Sequence, residues 1–319
     1  MCTAIFDNGL FGRTLDLEYS LDENVVITPR KYKFPAPCQS MGDSHFAMVG
    51  SAHIFNGMPL YYDGINECGL AIAALNFPHM AVYRPPYKEK KSIASFELIP
   101  TVLGQCEDIS SAISLLRDSN ITTDSISAEL PATPLHWMIA DKSSSICIEP
   151  MKDGIHIQEN PVGILTNSPS FEYQLYNLSQ YLNIDSAPHQ NRICPYANIT
   201  PVSEGTGGIG LPGDLSSQSR FVRASFAKSH AIGTGEEDVS RFFHIADSVS
   251  VTMGNVKTEL GKPVSTVYTS CMDTKKCVYY FTTYGCRRIR AVDLYREALD
   301  GDGLMLFPHR MHEDVLMLN

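Results

Sequence analysis

The chain has 319 residues, of which 44% are apolar, and carries a formal net charge of −10. That suits one large domain or two ordinary ones with a substantial core, and an acidic chain without a Lys/Arg-rich run excludes nucleic acid or an anionic membrane as the expected partner. No stretch reaches the roughly 18 apolar residues of a membrane span, and the start has neither a basic n-region nor an apolar run of signal-peptide length, so the expected location is cytoplasmic.

From the N-terminus, CTAIF (2–6) reads as a strand. Asn8-Gly9 is a tight-turn signal, so FGRTLD should run back antiparallel and bring Arg13 and Asp16 beside Cys2. Further strands are predicted at 24–28, 46–52, 69–75, 135–140, 145–150, 154–158, 264–270 and 277–283, most of them bounded by Gly, Pro, Asn or Asp. Helical stripes fall between groups of strands. Ile109, Ala112, Ile113 and Leu116 recur at helical spacing in 108–118. Phe171, Leu175, Leu178 and Leu182 do so in 169–182, with Ser168 as the expected N-cap and Pro169 in the first helical position. Val239, Phe242, Phe243, Ala246 and Val249 line one face of 236–249, and 217–229 is a fourth helix, entered from the loop GTGGIGLPGD (205–214). Grouped hairpins with helix pairs between them give an α+β fold with antiparallel sheets rather than alternating βαβ units.

The glycine-rich loop has neither the Gly-Lys-Ser/Thr ending of a P-loop nor a G-x-G-x-x-G between strand and helix, so it reads as a structural turn. The nine cysteines, at 2, 38, 68, 106, 147, 194, 271, 277 and 286, are odd in number and scattered, which speaks against a disulfide framework or a zinc site. Most are expected to be buried reduced thiols. His136 in an apolar strand and His244 in an amphipathic helix are expected to be packed core or interface residues rather than ligands, and no metal or cofactor is called for.

Cys2 is set apart by its position. Removal of Met1 would leave a thiol and a free α-amine on one residue. A thiol of ordinary pKa, about 8.5, is only a few per cent thiolate at neutral pH, whereas an α-amine at about 7.7–8.0 exchanges protons there. Held against the sulfur, the amine can take the thiol proton and later deliver it to a leaving amine. A guanidinium at Arg13 would favour the thiolate, and a carboxylate at Asp16 would orient the amine. Without Cys2 between them the pair reads as an ordinary surface ion pair. Asn76 in LNFP and Asn167 in LTNSP supply amide donors suited to an oxyanion hole, although each alone reads as a turn or cap residue.

Together, MCT, FGRTLD, PLYYDGINECGLAIAALNFP, ELPATPLHWMIAD, NPVGILTNSPSFEYQLYNL, GGIGLPGDLSSQSRFVRASF and the late YTSCMD and YYFTTY resemble the choloylglycine hydrolase family, in order from residue 2 to about 295. Within it they look most like the bile salt hydrolases of intestinal bacteria. The resemblance implies a single domain over 2–319, Met1 being removed, with a four-layer αββα N-terminal-nucleophile hydrolase fold. It implies Cys2 as nucleophile, Arg13 and Asp16 beside it, Asn76 and Asn167 at the oxyanion, and Arg220 as a distal arginine of the site. Arg223, three residues on, can share the helix face of Arg220, so spacing alone does not choose between them. Asn76 also separates bile salt hydrolases from penicillin V acylases, which commonly carry Tyr there. Thr14 departs from the Asn usual in the family's R-N-x-D motif.

The implied activity is hydrolysis of the amide that joins a bile acid to glycine or taurine, through a thioester, in a homotetramer without a cofactor. A steroid needs an apolar cleft. By resemblance its walls include Leu17, Phe55, Met58, Leu130 and Leu135, with Cys2, Arg13 and Asn76 at the reactive end. The alternatives are the same chemistry on penicillin V, against which Asn76 speaks, and a non-catalytic bile-salt-binding protein, against which the full set of site residues speaks.

Overall fold

The computed structural model describes residues 1–35, 44–128, 130–233 and 238–319. Cys38, and Glu236 and Glu237 at the start of the predicted helix 236–249, lie outside the described residues.

The chain opens with β1 (Cys2–Asp7), β2 (Leu10–Leu17), β3 (Asn24–Thr28), β4 (Met48–Phe55), β5 (Met58–Tyr61), β6 (Asp63–Asn66), β7 (Ala71–Asn76) and β8 (Lys91–Ala94). Helices α1 (Leu98–Gln105) and α2 (Ile109–Arg117) follow, then β9 (Ser119–Thr122), β10 (Leu135–Ala140), β11 (Ser145–Met151), β12 (Gly154–Glu159) and β13 (Ile164–Leu165). The remainder of the chain holds α3 (Phe171–Leu178), α4 (Ser217–His230), α5 (Asp238–Asp247), β14 (Val256–Lys257), β15 (Pro263–Asp273), β16 (Val278–Thr283), β17 (Arg290–Asp293) and β18 (Met305–Pro308).

Two antiparallel sheets result. The first runs β13-β1-β2-β15-β16-β17, with β14 on β15; the second runs β12-β11-β10-β7-β6-β4-β3-β18, with β5 on β4. Strands β1 and β2 pack against β7, so the sheets lie face to face. Helices α4 and α5, with α3 on α4, cover the outer face of the first sheet, while α1 and α2 cover that of the second. The layers are therefore α, β, β, α, as expected.

Side-chain alternation explains the layering. In β7, Ala71, Ala73 and Leu75 enter the core shared with the first sheet, whereas Ile72 and Ala74 enter the core under α1 and α2. In β10, Met138 and Ala140 take the first side and Trp137 and Ile139 the second. A strand covered on both faces reads as a continuous apolar run, with period two deciding only which core each residue joins.

The predicted α3 begins later than expected: Ser170, not Ser168, is its N-cap. The Phe171 amide, first in the helix, donates instead to Glu149 Oε1 at 2.9 Å, so a neighbouring strand caps it. Helix α1 carries no sequence signal because it is buried all round, from Leu98 to Gly104, and so has no polar stripe. Its Pro100 sits in the first turn, where a missing N–H costs no helical bond. His136 is buried and stacked on Phe77, with ring centroids 4.2 Å apart, as expected. His244 is not in the core: it is exposed on α5, because it falls on the solvent side of the Phe242, Phe243 and Ala246 stripe.

The glycine-rich loop is a turn. A Cβ on Gly207 would lie 2.0 Å from the Ala187 carbonyl oxygen, so the close chain approach demands glycine. At the start of α4, Ser216 caps the Ser219 amide at 3.3 Å. Asp214 sits beside it, its carboxyl pulled down to about 2 by hydrogen bonds from Ser216 and Ser219. A carboxylate already occupies the helix end that a phosphate would need.

Candidate active site

The site is built on the β1–β2 hairpin. Asn8 (φ 50°) and Gly9 (φ 86°) are both left-handed, which is the two-residue turn that matches strand twist. It fixes the register Cys2↔Leu15, Thr3↔Thr14 and Ala4↔Arg13. Paired residues share a face, and successive residues alternate. Cys2, Leu15 and Arg13 therefore point to one side, toward the second sheet, and Thr3, Thr14 and Asp16 to the other, toward the helices.

On the first side Arg13 is fully buried. Its Nη1 donates to the carbonyl oxygens of Tyr62, at 3.2 Å, and of Ala74, and its Nε to that of Thr14 at 3.2 Å. Nη2 has no hydrogen-bond partner among the described residues. Burial works against the charged guanidinium, but Cys2, Tyr268, Asp63 and Asp16 outweigh it and hold its pKa above the ordinary value. Behind it Asp63 accepts from Tyr279 at 2.6 Å, Tyr268 at 2.7 Å and Ser270 at 3.2 Å, which ties β6 of one sheet to β15 and β16 of the other. Burial nevertheless raises the Asp63 carboxyl pKa, against the opposing pull of Arg13 and the three hydroxyls.

On the other side Asn167 and Arg220 converge on the main chain of Cys2, whereas the Asp16 carboxylate, expected to orient the Cys2 nitrogen, makes no hydrogen bond to it among the described residues. The Cys2 amide nitrogen donates to Asn167 Oδ1 at 2.8 Å. Arg220, from α4, donates to the Cys2 carbonyl oxygen at 2.5 Å, to Thr3 Oγ1 at 2.6 Å and to Asn167 Oδ1 at 2.7 Å. The geometry thus chooses Arg220. Arg223 turns away to the carbonyls of Ser248, at 3.2 Å, and Pro212, at 3.1 Å. Asp16 accepts from Thr266 at 2.7 Å and from Thr14 at 3.3 Å. Its main-chain nitrogen and oxygen pair with Met1 at 3.0 and 2.7 Å, extending the hairpin by one residue beyond Cys2.

Asn167 is held as firmly as it holds. Its Nδ2 donates to the Asn76 carbonyl oxygen at 2.8 Å, and its own carbonyl accepts from Ser217 at 2.9 Å. Next to it, Thr166 is fixed by the His136 ring at 2.7 Å, which also lies 3.3 Å from Glu149. The Asn76 side chain has no hydrogen-bond partner among the described residues and lines the cavity described next.

A cavity of about 200 Å³ opens at Cys2, Arg13 and Asn76 and runs between Leu15, Leu17, Leu21, Leu60, Phe96, Ile99, Ile126 and the segment Leu130–Leu135. Of the expected wall residues, Leu17, Leu130 and Leu135 line it. Phe55 and Met58 do not: they are the last pair of the β4–β5 hairpin, and the pair two positions earlier, His53 and Leu60, reaches the cavity instead. Two residues of strand is roughly 7 Å, enough to carry a side chain past the opening. Phe96, Ile99 and Ile126 were not anticipated. Each lies in or beside α1 or in a loop, where no periodicity marks which side chain turns inward.

The described cysteines are all free, and Cys2, Cys106, Cys147, Cys271, Cys277 and Cys286 are buried. Burial raises the pKa of Cys147 and Cys271 well above the ordinary thiol value, which makes them inert.

A family model for linear amide C–N hydrolases of the choloylglycine hydrolase family matches residues 2–307. The chain is 43% identical to a bile salt hydrolase/transferase of Lactiplantibacillus plantarum, over 100% of both chains. Its structure is similar to that of a mutant conjugated bile acid hydrolase from Clostridium perfringens, with a TM-score of 0.93 and 32% identity over 100% of both chains. A penicillin V acylase from Agrobacterium tumefaciens shares the fold, with a TM-score of 0.74 and 21% identity over 95% of this chain and 90% of that one.

Proposed function

The chain belongs to the choloylglycine hydrolase family of linear amide C–N hydrolases, and from that premise we propose that it cleaves the amide of glycine- or taurine-conjugated bile salts with Cys2 as nucleophile. The observation that carries the reading is the split around one residue: the Cys2 side chain faces an apolar cavity beside Arg13 and Asn76, while its nitrogen is held by Asn167 at 2.8 Å.

In this reading the mature chain begins at Cys2. Its α-amine donates one N–H to Asn167 Oδ1, which leaves the nitrogen lone pair free to take the thiol proton. The sulfur attacks the amide carbonyl of a substrate whose steroid lies along the apolar walls. Asn76 donates to the developing oxyanion, and Asn167, with one N–H spent on the Asn76 carbonyl, has a second to offer. Arg13 sets a positive charge beside the sulfur, and Arg220 fixes the Cys2 carbonyl. The α-ammonium then protonates the departing glycine or taurine. Water, deprotonated by the same amine, opens the thioester, releases the bile acid and restores the thiol.

We place this chemistry in one domain over 2–319, in the cytoplasm and in a homotetramer. Among the described residues no helix is long and apolar enough to cross a membrane. The segment between α3 and α4 exposes Leu182, Ile193, Val202 and Ile209, an apolar surface of the kind that partner subunits cover. Rates on taurocholate, glycocholate and penicillin V test the reading: both bile salts should be cleaved with the higher kcat/KM. The reverse order would instead make the chain a penicillin V acylase.

A further inference from the structure

His53 lies in the cavity wall on β4, opposite Leu60 of β5. Its Nδ1 is 2.6 Å from the carbonyl oxygen of Leu21. A carbonyl only accepts, so Nδ1 carries the ring proton, and in the neutral ring Nε2 keeps its lone pair. No hydrogen bond from the described residues engages Nε2.

The other polar groups of the wall are taken or lie elsewhere. The Tyr61 hydroxyl is 2.7 Å from Thr28 Oγ1. Ser95 is hydrogen-bonded to Tyr83. Thr133 is exposed at the rim. The carbonyl of Tyr62 accepts from Arg13, which puts Tyr62 at the reactive end. Leu60, with His53 opposite it, comes two residues earlier, roughly 7 Å of strand. Besides the Tyr62 hydroxyl, the wall thus presents a ring nitrogen whose orientation is fixed by a main-chain carbonyl.

We propose that His53 hydrogen-bonds a hydroxyl on the ring system of the substrate's acyl part and so sets preference among steroids. The proposal rests on the bile-salt reading. Apolar walls separate similar substrates weakly, whereas a site built to pair a hydroxyl rejects an analogue that leaves the partner unpaired. The anchor at Leu21 keeps the imidazole from turning away when no hydroxyl is present, so its preference persists between substrates.

The test compares two taurine conjugates, one of a trihydroxylated cholanic acid and one of unsubstituted cholanic acid, with wild type, His53→Leu and His53→Gln. Wild type should favour the hydroxylated conjugate. His53→Leu should lower that ratio of kcat/KM about tenfold, the worth of one hydrogen bond, chiefly through KM. His53→Gln, whose amide can still pair with a hydroxyl, should keep most of it. If His53→Leu fails to fold by circular dichroism, His53→Asn, which is too short to reach, serves the same comparison. An unchanged ratio, or equal losses on both conjugates, would overturn the role of His53 and leave the bile-salt reading standing. No taurine from either conjugate with wild type would overturn that reading and the proposal with it.

Discussion

The two faces of the β1–β2 hairpin are built to opposite rules. Toward the helices, Arg220, Asn167 and Thr3 exchange hydrogen bonds with one another or with the main chain of Cys2, at 2.5 to 2.8 Å, and Asp16 is held by Thr266 at 2.7 Å. Toward the cavity, Arg13 Nη2 and the Asn76 side chain are left without partners among the described residues. A saturated network holds geometry, the buried Arg13 supplies charge, and the free Asn76 amide beside the thiol is available to a substrate whose charge develops there. Residue alternation in a strand lets one cysteine belong to both.

The comparison is broken most severely at the residue both faces share. Cys2→Ala should lower turnover by at least about 10⁴-fold, the scale seen when a nucleophile is lost, with little change in thermal unfolding. Substantial taurine release from purified Cys2→Ala would remove the nucleophile from the account. On the helix side, Asn167→Ala takes away both the hold on the Cys2 nitrogen and an oxyanion donor. It should lower kcat by about 10²–10³-fold. Steady-state kinetics discriminates: a rise confined to KM would mean that Asn167 only binds the ground state.

On the cavity side, Leu135→Ala removes apolar wall at the strand position paired with Asn76. Its effect should be about tenfold and should fall on KM rather than kcat. A kcat loss without a KM change would mean that the wall positions the reacting amide.

Asp63→Asn, behind Arg13, should perturb turnover least and show itself in stability. An amide offers one acceptor oxygen where the carboxylate uses two, so a cost of about 1–3 kcal/mol is expected. Its pH dependence has a defined sign. A carboxyl whose folded-state pKa is raised binds its proton more tightly in the native state. The stability it contributes is full below the ordinary carboxylate range and is lost as pH rises through the folded-state value. Urea unfolding of wild type and Asp63→Asn should therefore show a gap that narrows with rising pH. A gap that widens would reverse the sign and with it the burial argument.

What could be read from sequence divides along the same line. Cys2, the Asn8-Gly9 turn and the Arg13/Asp16 spacing are local signals, and a two-residue turn with alternation suffices to sort the hairpin's faces. Helices α2, α3 and α5 declared themselves by their apolar stripes. The partners of Asp63 did not, because Tyr268 and Tyr279 lie 205 and 216 residues away and meet it only when the sheets stack. Arg220 could not be told from Arg223 until α4 was set on β1. Phe55 and Met58 were displaced from the wall by two pairs of a hairpin, a shift that alternation cannot report, since pairs two apart present the same face.

The central claim is that Cys2 acts through a free α-amine as well as its thiol. With Met1 attached, the Cys2 nitrogen is an amide that accepts no proton near neutral pH, and Met1 itself occupies the strand position next to it, bonded to Asp16 at 2.7 Å. Intact-mass measurement alongside the taurine-release assay decides the matter. Protein whose mass begins at Cys2 should be fully active, and protein that retains Met1 nearly inactive. Full activity from protein whose mass still includes Met1 would contradict the account.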